Sequence, residues 1–168
     1  ARAVADAIGS KNHVKIVYAG NSISADSICH VLEEIKGKSV YINVIAKNFE
    51  TLEPGIGFRA LRAFLKDQYG TEYSKRVICT GTCGTKFEDI AREKGYYFLP
   101  FPEDVGGRYT SLTPIGLFPL AAAGLDIRAM VEGARHMSRR LQKEDAAENI
   151  ALEYAVVRNM LYEKGLKL

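Results

Sequence analysis

Read as a pattern of apolar and polar positions, the chain alternates short β-like runs with longer helical ones. Val14 to Ala19, VKIVYA, alternates and is rich in β-branched residues, so it predicts a strand that ends at Gly20-Asn21. Ser39 to Ile45, SVYINVI, is apolar enough to be buried on both faces, as parallel strands are. Between them the spacing predicts a helix to about Ile35, with Ser22, Ser24 or Asp26 as its cap. Ile28, Val31, Leu32 and Ile35 form its inner face. Strand, helix and strand in that order imply a right-handed parallel crossover.

The pattern continues on both sides. Ala1 to Ile8 reads as the back half of a helix stopped by Gly9. Gly55 to Tyr69 is an amphipathic helix whose Phe58, Leu61, Phe64 and Leu65 stripe belongs to the core, with Pro54 in its first turn. Arg76 to Thr80, RVICT, predicts a third strand, Lys86 to Lys94 a helix stopped by Gly95, and Tyr96 to Pro100 a further short strand. Thr113-Pro114 reads as cap and first residue of an apolar helix that ends at Gly124, with Pro119 predicting a kink or a late start. Asp126 caps a helix to about Leu141, and Asp145 caps another to Lys164. The alternation indicates a three-layer α/β sandwich around a parallel sheet, with helices over 126–168.

Composition narrows the class. With 168 residues and 47% of them apolar, the chain is expected to form one domain, 1–168, with a real core. Lysine and arginine number 23 against 20 acids, a net +3 that is dispersed along the chain and argues for neither nucleic acid nor membrane. No apolar run approaches the ~18 residues that span a bilayer, and the expectation is a soluble protein. Cys29, Cys79 and Cys83 are an odd number, which fits reduced, cytoplasmic thiols better than a disulfide framework. The CTGTC spacing of Cys79 and Cys83 lacks a second Cys/His pair nearby, so no metal is expected.

Two stretches carry candidate chemistry. In Glu103 to Gly124, EDVGGRYTSLTPIGLFPLAAAG, Gly106 and Gly107 allow backbone conformations and close approach that a side chain forbids. They deliver Arg108, a permanent charge with a forked donor set suited to an anion or a developing oxyanion, to the foot of a helix. A lone arginine is ordinarily a solvated surface charge; the run as a whole is distinctive. The second stretch is Ala46 to Pro54, AKNFETLEP, where Lys47 and Thr51 offer a charge and a hydroxyl beside a helix start capped by Glu53 or Thr51.

Asp104, Val105, Gly106, Gly107, Arg108, Tyr109 and Thr110, continuing through Gly116, Leu117 and Gly124, resemble the signature of the glucose-6-phosphate isomerase family. VYAGNSISADSICHVLEEIKGKSVYINVIAKNF, TLEPGIGFRALR and EYAVVRNMLYEKG resemble further segments of that family in its order. The resemblance implies a Rossmann-like sugar isomerase (SIS) domain, here a portion of a longer isomerase. It implies a strand and a glycine-serine loop ahead of such a segment, and the chain lacks both, so the sheet is expected without its first strand. It also implies interconversion of glucose 6-phosphate and fructose 6-phosphate through a cis-enediolate, with no metal or organic cofactor, in a cytoplasmic homodimer. Carried over by residue, Arg108 is the catalytic cation, and Gly107, Lys47, Asn48, Thr51 and Glu53 bind substrate. Ala46, Asn48 and Glu50 depart from the serine and threonine pattern of the phosphate loop. In the family the glutamate base, the ring-opening histidine and a late lysine lie downstream of anything matching Leu168, so this stretch alone is expected to be a very poor isomerase. The alternatives are a non-catalytic sugar-phosphate-binding SIS module and another SIS-type sugar-phosphate isomerase.

Overall fold

A computed structural model describes residues 2–47, 52–145 and 147–166. Three of the β-branched runs become one parallel sheet: β1 (Ile42–Ile45), β2 (Val77–Gly81) and β3 (Tyr97–Pro100), in that spatial order. Ile42 lies opposite Val77, Val44 opposite Cys79, and Cys79 opposite Phe98. Side chains alternate across a strand, so these residues share one face. That face is closed by two of the helices, α3 (Leu52–Tyr69) and α4 (Lys86–Lys94), whose Phe58, Leu65, Phe87 and Ala91 are buried with it. The Phe87 and Phe98 rings meet edge to face, 6.3 Å between centroids. Each fully buried side chain of this size contributes about 1.5–3 kcal/mol. On the opposite face the buried Thr80 hydroxyl donates to Asn43 Oδ1 at 2.9 Å.

The helices follow the local signals closely. After α1 (Arg2–Ile8), α2 (Ala25–Ile35) begins at Ser24, whose side chain accepts from Ser27 N at 3.4 Å. Pro54 occupies the first turn of α3, where its missing N–H costs nothing. α4 stops at Gly95, which takes the left-handed conformation with φ +69°. α5 (Pro114–Ala122) starts at Pro114 and runs through Pro119, so the expected late start does not occur. Leu120 and Ala123, each 1% exposed, supply the packing that offsets the hydrogen bond Pro119 cannot make.

The first expected strand is the main departure. Residues 14–20 carry no regular secondary structure, and among the described residues no backbone hydrogen bond joins residues 15–19 to another element. A strand exists only as half of a pair, and here the partner edge is out of reach. A cleft of about 1120 Å³ separates Val14–Gly20 from Ser39–Ile45, which also shortens β1 to Ile42–Ile45. Among the described residues, no helix is long and apolar enough to cross a membrane.

The chain divides into two compact units, Ala1–Leu125 and Asp126–Leu168. The second holds α6 (Ile127–Leu141) and α7 (Ile150–Glu163). Asp126 caps α6, its Oδ1 accepting from Arg128 N and Ala129 N, both at 3.0 Å. α7 does not start at Asp145 as expected. Asn149, 3% exposed, is the cap: Oδ1 accepts from Ala151 N and Leu152 N, while Nδ2 donates to Leu141 O and Lys143 O. One side chain thus starts α7 and binds the end of α6. Asp145 instead accepts from Ala147 N in the preceding turn.

Gly81 closes β2 where there is no room for a side chain. A Cβ there would lie 2.6 Å from Phe87 Cδ1 and 2.8 Å from the Ala46 carbonyl oxygen. Gly81→Ala is therefore expected to destabilise the fold by about 1–3 kcal/mol, as overpacking does. Urea unfolding checks this; an unchanged midpoint would show that the turn relaxes freely.

Candidate functional site at the carboxyl edge of the sheet

Parallel strands bring their carboxyl ends to one edge, and ligands of open α/β sheets bind there. β1 leads into Ala46 and Lys47, β2 into Thr82 to Gly84, and β3 into Phe101 to Arg108. Backbone hydrogen bonds lace the three exits together. Ala46 N donates to Thr80 O at 3.1 Å, Thr82 N to Lys47 O at 3.3 Å, and Phe101 N to Gly81 O at 2.9 Å. Across them, Lys47 Nζ donates to the Glu103 carbonyl at 3.0 Å and lies 6.0 Å from the Phe101 ring centroid. The ammonium is therefore held at the loop that carries the Gly-Gly-Arg run.

The same edge receives the first turn of α3. A Cβ on Gly57 would lie 3.2 Å from the Cα of Gly20, so residue 20 rests on α3 backbone to backbone. Gly20 also lies against Pro54 and the Glu53 carbonyl. Glu53 thus stands at a helix start whose free N–H groups favour an anion. Of the rest of the expected phosphate loop, Asn48, Glu50 and Thr51 lie outside the described residues.

The Gly-Gly-Arg run behaves differently from the expectation. Gly106 has φ −67° and ψ 149°, an ordinary extended backbone, and Gly107 opens a 3₁₀ helix, Gly107–Leu112, without a positive φ. Neither position needs glycine for its conformation, because the 3₁₀ turn keeps the backbone in regions every residue can adopt. What Gly107 leaves is space: a Cβ there would meet nothing within 4 Å. Arg108 is exposed, and among the described residues no hydrogen bond or ion pair engages its guanidinium. Its place is fixed from behind. Tyr109 N donates to Gly106 O, Thr110 Oγ1 to Gly107 O and Thr113 Oγ1 to Thr110 O, all within 2.9 Å. Gly116 then lets α5 press on the 3₁₀ helix, where a Cβ would fall 2.1 Å from Ser111 O. Lys47 and Arg108 place two cations on the loops of this edge, charges suited to an anionic ligand.

Sequence reasoning missed Thr82. It is 6% exposed, its Oγ1 has no hydrogen-bond partner, and it sits on the turn after β2. The signal was its position at a strand exit, overlooked because CTGTC was weighed for its cysteines alone. Those cysteines occupy unlike environments: Cys79 is fully buried and Cys83 exposed. His13, His30 and His136 are exposed.

The phosphoglucose isomerase family model matches residues 2–165. The chain belongs to the phosphoglucose isomerase family. It is 44% identical over 159 residues to the glucose-6-phosphate isomerase of Caldanaerobacter subterraneus subsp. tengcongensis, covering 94% of this chain and 35% of that protein. It is 42% identical over 153 residues to the glucose-6-phosphate isomerase of Exiguobacterium sibiricum, covering 90% of this chain and 34% of that one. The chain thus spans about a third of the length of these phosphoglucose isomerase relatives. Among solved structures, a hypothetical protein from Thermus thermophilus superposes with a TM-score of 0.82 at 24% identity, over 90% of this chain and 36% of that one. A glucose-6-phosphate isomerase from Chlamydia trachomatis superposes with a TM-score of 0.71 at 22% identity, over 86% and 28%. At those identities the superpositions speak for the fold, and both agree with the parallel α/β sheet described above.

The cysteine environments set a test. Burial pushes the Cys79 thiol up to about 12. Its folded value lies above the unfolded one, so its neutral form supports the fold below about pH 8.5 and that support is lost as pH rises toward 12. Since the thiolate is the nucleophile, a thiol reagent at pH 8 is expected to modify Cys29 and Cys83 in the folded chain. Cys79 should react only in denaturant. Peptide mass mapping reads this directly, and modification of Cys79 under native conditions would contradict it.

Proposed function

We propose that the chain serves in a glucose-6-phosphate isomerase, as the part that holds the sugar phosphate and stabilises the enediolate. Family membership over residues 2–165 supports the reaction. The observation that carries the assignment of roles is the Lys47 to Glu103 hydrogen bond, which ties the cation of the phosphate loop to the run bearing Arg108. In this reading Lys47, Asn48 and Thr51, with the first turn of α3 at Glu53, take the phosphate dianion. A carboxylate base removes the proton from C2 of the open-chain aldose, and negative charge gathers on the two oxygens of the cis-enediolate. The unpaired Arg108 fork and the Gly107 N–H stabilise that charge, and the proton returns at C1. Nothing in this sequence of steps calls for a metal or organic cofactor. The base comes from a segment beyond the matched third of the family's length. The working enzyme is a cytoplasmic homodimer in this reading.

Ala46 favours a second reading, a sugar-phosphate-binding module without catalysis. It brings no hydroxyl to the loop, and its N–H is spent on Thr80 O.

A coupled isomerase assay separates the two. In a full-length isomerase containing this stretch, Arg108→Ala is expected to lower kcat about 10²–10³-fold, the usual cost of removing an oxyanion donor, with a smaller change in KM. The 168-residue chain alone is expected to show no turnover above background. Robust turnover by the chain alone, abolished by Arg108→Ala, would overturn the proposal. Unchanged kcat in the full-length variant would remove Arg108 from the mechanism and leave the binding module.

A further inference from the structure

One buried hydroxyl at the carboxyl edge takes no part in holding that edge together. Thr82 is 6% exposed, and its Oγ1 has no hydrogen-bond partner. Buried polar groups are nearly always paired, because one left unmade carries its full desolvation cost. The rest of the residue is engaged. Its N–H donates to Lys47 O at 3.3 Å, and its carbonyl accepts from Thr85 Oγ1 at 2.8 Å. Two residues back, Thr80 is fully buried too, but its hydroxyl donates to Asn43 Oδ1 at 2.9 Å. Thr80 is thus a satisfied structural threonine, and Thr82 is not.

What lies across Thr82 follows from the strand order. β2 stands between β1 and β3, so its exit stands between Lys47 and the stretch from Phe101 to Glu103. The Lys47 side chain bridges those two: Nζ donates to the Glu103 carbonyl at 3.0 Å and lies 6.0 Å from the Phe101 ring centroid. A side chain that runs from the first exit to the third crosses the second. The ammonium rests there on a neutral carbonyl, and an anion is the stronger acceptor for it. Glu88, the carboxylate at this turn, is already engaged, accepting from Gly84 N at 2.7 Å and pairing with Arg92 at 3.2 Å.

We propose that Thr82 is a phosphate-binding residue, its hydroxyl covered in the free protein and donating to the ligand's phosphate once that phosphate draws Lys47 off Glu103. This role rests on the reading of the edge as a sugar-phosphate site, and adds to it a donor and a resting state. A phosphate dianion offers acceptors only, and the hydroxyl and the ammonium are both donors. The hydroxyl therefore opposes folding while it is unpartnered and favours the complex when an anion completes it.

The test uses a full-length isomerase containing this stretch, with Thr82→Val, which keeps the shape and removes the hydroxyl, and Thr82→Ser, which keeps the hydroxyl. Inorganic phosphate is the probe, its dissociation constant read from the rise it causes in the urea midpoint. Without phosphate, Thr82→Val is expected to unfold at a midpoint no lower than the wild type. Its dissociation constant for phosphate is expected to be at least about tenfold weaker, ~1.4 kcal/mol, with Thr82→Ser within about threefold of the wild type. KM for fructose 6-phosphate should rise about tenfold in Thr82→Val with kcat nearly unchanged, since the phosphate takes no part in the proton transfer. Equal phosphate binding by the wild type and Thr82→Val would overturn the proposal. So would a lower midpoint for Thr82→Val without phosphate, which means that the hydroxyl is already partnered in the free protein. Failure of Thr82→Ser to keep phosphate binding would overturn it too, and leave Thr82 a packing role. A wild type that binds no phosphate would overturn it together with the phosphate site. The phosphate titrations need no turnover, so a failure of the isomerase reading, seen in the Arg108→Ala assay, is told apart from a failure here.

Discussion

Everything in the first unit depends on the pairing of β2. Among the described residues it is the strand with a neighbour on both edges, and Val77, Cys79 and Thr80 are fully buried. Its two faces do different work. Val77 and Cys79 join the apolar core under α3 and α4, and Thr80 binds Asn43 of β1 through its hydroxyl. A strand buried on both faces and paired on both edges has no polar backbone left for water, so its register is fixed firmly. That fixed register sets the heights at which β1 and β3 end.

The site is a consequence of those heights. Because β1, β2 and β3 run parallel, their exits meet at one edge, and three backbone hydrogen bonds hold the exits together before any side chain is considered. Lys47 then spans from the first exit to the third. Arg108 is placed by the packing of α5 on the 3₁₀ helix behind it, while its own charge stays unengaged. An unpaired guanidinium in water contributes little to folding. Placement by rigid neighbours with the charge left free is the condition that the proposed role for Arg108 at an oxyanion requires.

Much of this was legible in the sequence because the signals are local. Ser24, Thr113 and Asp126 cap where they are expected, Gly95 stops its helix, and RVICT and YYFLP become strands. The failures share a cause. VKIVYA has every intrinsic feature of a strand, yet a strand is a property of a pair, and no partner lies in reach. Asp145 is as good a cap as Asn149 by composition. Asn149 is used because its amide also reaches Leu141 and Lys143, contacts that depend on how α6 ends. Gly106 and Gly107 suggested unusual backbone, but the 3₁₀ turn needs none. Thr82 carried no signal of its own until β2 placed it, buried and with an unpartnered hydroxyl, at the carboxyl edge of the sheet.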